Sequence, residues 1–152
     1  MNKFIKLIFI FLIINGCAYE PILLKKRYDF NFTEIYSTGE NKINEIIKNK
    51  LFENTNSDHL IKYKLNINSE KNKEIVSSSR EGDPSIYKIS IKLKYSLIEN
   101  NQIILNNEIL KQTTYNNIKD KFELLKYEED MIKNLSEKFA DDILISISTL
   151  LK

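Results

Sequence analysis

The chain holds one thiol, Cys17, and one imidazole, His59. Any chemistry built on a nucleophile–base pair or on clustered metal ligands has to start from these two groups. His59 follows Ser57 and Asp58 at the head of an alternating apolar segment, with no second histidine in the chain. A single exposed imidazole so placed reads as structural or incidental rather than as a base or a metal ligand. Ser77-Ser78-Ser79 lacks a local base and reads as a loop or edge strand. The carboxylates Glu128-Glu129-Asp130 and Asp141-Asp142 follow a helical pattern with lysines around them, the mark of a solvated helix face rather than of an acid–base dyad. No glycine-rich phosphate loop occurs among the chain's 3 glycines. The expectation is a binding or scaffolding protein, not an enzyme, with no cofactor and no metal.

The thiol has its own context. In KLIFIFLIINGCAYEPI, Lys6 and the preceding Lys3 form a positive n-region, and Leu7 to Ile14 form an unbroken apolar run. That run is too short to cross a hydrocarbon layer of about 30 Å as a helix, and with Gly16 at its end it has the plan of a secretory signal peptide. Ile14-Asn15-Gly16-Cys17 looks like a bacterial lipobox, in which the thiol takes a diacylglyceryl group and becomes the new N-terminus. A single thiol in an exported chain has no disulfide partner, so lipid attachment at Cys17 gives that sulfur a role. Acyl burial contributes about 0.8 kcal/mol per CH₂, and several chains together anchor firmly. Ala18 follows where an inner-membrane retention signal usually shows Asp, which points to the outer membrane. The alternative is an ordinary signal peptide followed by an incidental cysteine. The expected organisation is a leader over 1–16 and one domain over 17–152, with 17–27 as a tether.

Beyond the leader the charges cancel, with 21 basic residues against 21 acidic once Lys3 and Lys6 are set aside. That balance argues against a nucleic-acid partner or a polybasic membrane footprint. Tyr28, Phe30 and Phe32 alternate with polar residues as in a strand. Ser37 and Glu40 resemble a capping box opening a helix whose face is Ile43, Ile46, Ile47 and Leu51. Ile61, Tyr63, Leu65 and Ile67 return to period two, followed by a polar stretch, SEKNKEIVSSSREGDPS, with a turn signal at Gly82-Asp83-Pro84. IYKISIKLKYSLI alternates cleanly, with Tyr87 through Leu97 on one face and lysines and serines on the other, as in a sheet with one dry face. Glu99-Asn100-Asn101 reads as a hairpin turn into a strand of muddier pattern. From about Asp120 to Leu150 runs a long helix with the stripe Leu124, Met131, Leu135, Phe139, Ile143, Ile147 and Leu150. Glu129 and Lys133 are expected to pair on it at i,i+4. The predicted fold is α+β in the order β-α-β-β-β-α, with two helices on one face of a four-stranded mixed sheet.

Several words of this sequence, taken with that order, resemble the lipopolysaccharide-assembly lipoprotein family LptE. They are CAYEPI, the loop SREGDPSIY leading into YKISIKLKYSLI, the strand ending TTYN, and EEDMIKNLSEKFADDILISI in the last helix. The resemblance implies an outer-membrane lipoprotein, anchored on the periplasmic side, in an obligate complex with an LptD-type β-barrel. It would plug the lumen, assist the barrel's assembly and help deliver lipopolysaccharide to the outer leaflet, without catalysis. Basic residues before the third strand and near the start of the last helix are associated with lipopolysaccharide in that family. Arg80 matches the first position, and Lys121 and Lys126 lie near the second. A guanidinium grips a phosphate through two parallel hydrogen bonds; the plainer reading makes all three solvated cations. The alternative function is an auxiliary lipoprotein of a phospholipid ABC transport system.

Overall fold

The computed structural model describes residues 28–55 and 60–151. The leader, Cys17, the tether and His59 lie outside the described residues. The predicted order is observed: β1 Asn31–Gly39, α1 Asn41–Asn54, β2 Lys62–Ser78, β3 Pro84–Glu99, β4 Gln102–Asn116 and α2 Lys121–Leu150. The sheet runs β1-β2-β3-β4, with β1 parallel to β2 and the other two pairs antiparallel. Parallel neighbours need a crossover, and α1 supplies it. At the β3–β4 turn Asn100 and Asn101 both adopt positive φ, 48° and 63°, which short hairpins require and asparagine tolerates.

Period-two alternation in β2 and β3 gives the sheet one dry face. Tyr63, Leu65 and Ile67 of β2 and Ile89, Ile91, Leu93, Tyr95 and Leu97 of β3 are buried there. Ile43, Ile47 and Leu51 of α1 and Leu124, Phe139, Ile143, Leu144 and Ile147 of α2 join the same core.

The start of α1 differs from expectation. Ser37 lies within β1 and Glu40, at the N-cap, makes no side-chain cap, so no capping box forms. Tertiary contacts set this end instead: the Glu40 N–H donates to the Ser69 carbonyl at 3.2 Å and Asn44 Nδ2 to the Thr38 carbonyl at 2.9 Å. Gly39 has φ 91°, and a Cβ there would lie 1.9 Å from the Ser69 carbonyl oxygen.

The polar stretch after Ile67 is not a loop, because β2 continues through it to Ser78. Its inward residues are lysines whose charges meet helix carboxylates. Lys71 pairs with Glu40 at 3.4 Å and Lys73 with Glu128 at 2.5 Å. On β4, Lys111 likewise pairs with Asp142 at 2.5 Å. Glu129 meets Lys42 of α1 at 2.7 Å rather than Lys133. The acidic runs of α2 are therefore partly clamps, not merely a solvated face. Glu128, with its side chain only 14% exposed, also accepts from the Tyr115 hydroxyl at 2.7 Å. Tyr115 stacks on Tyr87, whose ring lies 4.3 Å from the Lys73 ammonium. Burial, then the bond to Glu128, pushes the Tyr115 hydroxyl well above the ordinary tyrosine range.

Two consequences are measurable. Gly39→Ala forces side-chain bulk into a backbone carbonyl at positive φ, and it should lower unfolding free energy by about 3 kcal/mol or more in urea titration. The folded state holds the Tyr115 proton more tightly than the unfolded chain does. Its contribution is therefore intact below the unfolded value of about 10 and is lost as pH rises above it. Tyr115→Phe should cost about 2 kcal/mol near neutrality through the lost bond to Glu128, and should flatten the alkaline decline in denaturation midpoint.

Candidate functional site

The candidate site lies at the end of the sheet where β2 turns into β3 and β4 hands over to α2. The turn is closed by its own backbone: the Ser79 N–H donates to the Asp83 carbonyl at 2.7 Å and the Gly82 N–H to the Ser79 carbonyl at 3.1 Å. Gly82 takes φ 90° with open space around it, so glycine serves the turn's conformation there. The β4–α2 connection is stitched to the base of this turn. Asn117 donates from its backbone to the Ser85 carbonyl and from Nδ2 to the Pro84 carbonyl, both at 2.8 Å. Asp120 then caps α2, accepting from the N–H groups of Phe122 at 2.8 Å and Glu123 at 3.1 Å. The Glu128–Lys73–Tyr115 cluster lies two turns along α2 and binds this half of the helix to the sheet.

That construction brings Arg80 and Lys121 to one end of the molecule. Arg80 is exposed on the turn, and Lys121 is the exposed first residue of α2. Lys126 is also exposed, but it points outward one turn further down α2 and does not belong to the Arg80 turn. None of the three takes part in a described ion pair. Cys17 lies outside the described residues. Ser77 and Ser78 end β2 and Ser79 serves the turn, its Oγ accepting from the Glu81 N–H at 3.3 Å. Among the described residues, no three His, Cys, Asp or Glu side chains gather as a metal set, and no helix is long and apolar enough to cross a membrane.

Exposed apolar side chains lie on the same elements as these cations. Phe122 is 75% exposed and Leu125 57% exposed on the outward side of α2, and Ile75 and Val76 are exposed on β2 beside the turn. Phe122 and Lys126 are four residues apart on one helix face. The signal was present in α2, since residues 122 and 125 fall off the stripe that begins at Leu124. It was hidden in β2, where Ile75-Val76 sits within the polar stretch SEKNKEIVSSSREGDPS. Glu81, Asp83 and Glu123 interleave with the cations. This end is therefore not a polyanion site of the nucleic-acid kind. It can meet a molecule with both apolar chains and a few anionic groups.

Comparison with known proteins bears on the fold. No protein-family model matches the chain, and no curated protein matches it in sequence. Solved structures match it in fold. The chain is similar to an uncharacterised lipoprotein B from Nitrosomonas europaea, with TM-score 0.62 at 19% identity over 82% of this chain and 85% of that one. It is similar to the rare lipoprotein B from Shewanella oneidensis, with TM-score 0.59 at 13% identity over 78% and 94%. A minor lipoprotein from Acinetobacter baumannii aligns with TM-score 0.58 at 8% identity over 80% and 92%. The two helices on a four-stranded mixed sheet are thus a fold that this chain shares with bacterial lipoproteins.

Proposed function

We propose that this chain is an LptE-type lipoprotein. It is anchored to the periplasmic side of the outer membrane by lipid on Cys17, plugs and helps assemble an LptD-type β-barrel, and takes part in lipopolysaccharide transport to the outer leaflet. The observation that carries the reading is the fold, which is that of solved bacterial lipoproteins and here follows a lipobox-like leader. The shape of the domain supports it further. A barrel lumen is polar, and the helix-free face of the sheet is a field of Lys, Asn, Ser and Glu side chains, from Lys64 on β2 to Glu108 on β4.

In this reading the β2–β3 turn and the first turns of α2 face the lipopolysaccharide. Arg80 and Lys121 supply cations to the phosphates of its lipid moiety, Lys126 stands further along the same helix, and Phe122 and Leu125 meet acyl chains. Bidentate contact favours the guanidinium for this task. The reading assigns no catalytic step.

The test is purification of the chain from its native membranes in mild detergent. A stoichiometric large β-barrel partner and an acylated Cys17 are expected; a permease or substrate-binding protein in that place would move the assignment to a phospholipid transport system. With purified protein, Arg80→Asp should weaken lipopolysaccharide binding by about fivefold or more without lowering the melting temperature. Unchanged binding removes Arg80 from the site.

A further inference from the structure

The helix-free face of the sheet carries a row of side chains whose chemistry is distinct from its surroundings. Tyr36 lies opposite Asn66, Asn66 opposite Ser96, and Ser96 opposite Asn106, so one residue from each strand stands in a single line across the sheet. At roughly 4.8 Å per strand the line is about 14 Å long. It floors an open cleft of about 430 Å³, with Thr38, Asn68 and Lys94 along one side. That volume lies within the range of small-ligand sites.

The polar and charged residues of the rows above and below are already committed to one another. Below, Lys64 pairs with Glu34 at 3.0 Å. Above, Asn68 donates to the Thr38 hydroxyl at 2.8 Å, and Lys94 lies 3.7 Å from Glu108. Each charge beside the cleft thus has a partner inside the protein, although Glu108 serves Lys92 at 3.7 Å as well as Lys94. The carboxamides of Asn66 and Asn106 and the Ser96 hydroxyl are in none of the described side-chain hydrogen bonds. An amide offers two donors and an acceptor, and a hydroxyl offers both. Together they present alternating donors and acceptors over three strands.

At the end of the row stands Tyr36, 56% exposed. Its hydroxyl donates to Glu34 Oε2 at 2.8 Å, which orients the ring before any ligand arrives. Lys64 first, and Tyr36 second, hold the Glu34 carboxyl below the usual carboxylate range, as expected of an ionised acceptor locked in this small network. An aromatic face beside uncharged donors and acceptors suits a molecule that is apolar on its C–H faces and hydroxylated at its edges.

We propose that the row Tyr36–Asn66–Ser96–Asn106 is a binding site for a short, uncharged oligosaccharide. A sugar ring stacks on Tyr36, and the hydroxyls of the following units exchange hydrogen bonds with the two carboxamides and the serine. A neutral polyhydroxylated ligand leaves the flanking pairs intact and matches the uncharged donors and acceptors of the row. The site is separate from the turn that carries Arg80, and the inference stands without the barrel-plug reading.

The test is a titration of the full-length chain, in a zwitterionic detergent and observed by NMR, with maltotriose, chitotriose and, as an acyclic polyol control, sorbitol. Saturable shifts at the side-chain amides of Asn66 and Asn106 and at the Tyr36 ring are expected with at least one trisaccharide and not with sorbitol. The double variant Asn66→Leu/Asn106→Leu should bind that sugar about tenfold more weakly with an unchanged melting temperature. Failure of both trisaccharides to saturate at tens of millimolar overturns the proposal, as does equal affinity in the double variant. Loss of a copurifying protein from the double variant, without sugar-induced shifts in the wild type, would assign the row to a protein interface and overturn it equally.

Discussion

A long two-stranded ribbon with only one dry face is the constraint on which the rest of the structure depends. β2 and β3 pair from Lys64–Ile98 to Ser78–Pro84, and the apolar side of that ribbon has to be covered along its length. β1 and α1 cover only the half below Gly39, where β1 stops opposite Ser69. The other half is left to α2, and at roughly 1.5 Å per residue its 30 residues reach about 45 Å. Burial of apolar side chains between these elements is the dominant favourable term, and the length of α2 is what makes that burial possible beyond the reach of α1.

Charge finishes what apolar burial begins. Where the dry face runs out of aliphatic residues, Lys71, Lys73 and Lys111 stand inward and reach Glu40, Glu128 and Asp142. Isolated exposed ion pairs contribute little, but Glu128 is mostly covered and shares one oxygen between Lys73 and Tyr115. Desolvation there makes loss of either partner costly. The lysine stems also pack while their heads stay polar; the Lys111 ammonium sits 5.4 Å from the centre of the Phe139 ring. This arrangement holds the first half of α2, and so the Lys121 and Phe122 end, against the turn that carries Arg80.

A single extra residue in β1 decides the character of the opposite face. The register shifts between Phe32 and Glu34, where Thr33 is bulged and its hydroxyl donates to the Tyr63 carbonyl at 3.2 Å. Before the bulge the even-numbered Phe30 and Phe32 point into the core; after it the even-numbered Glu34, Tyr36 and Thr38 pair with outward residues of β2. A bulge changes the parity of a strand. Without it Tyr36 would join the core and the cross-sheet row would have no aromatic end.

By itself the sequence determined the element order, the sidedness of β3, the Asn100-Asn101 turn, the span of α2 and its inward stripe from Leu124 to Ile147, whereas Leu150, expected on that stripe, is exposed at the helix end. Each of these rests on periodicity or on a local conformational preference, which neighbouring residues express without help from the rest of the fold. It also placed Arg80 on a turn and Lys121 at a helix start. Only the tertiary structure decided that SEKNKEIVSS is strand, because its inward lysines break the apolar alternation and are satisfied by carboxylates more than 30 residues away. It alone decided how α1 begins, since Gly39 is held against Ser69 across the sheet and not by a local cap. β4 was muddy for the same reason: it bulges near Ile103 and its inner face carries Asn107 and Lys111, whose partners Tyr95 and Asp142 are distant in sequence. Local pattern records what a residue prefers, while long-range pairing decides which polar residues can be turned inward at no loss.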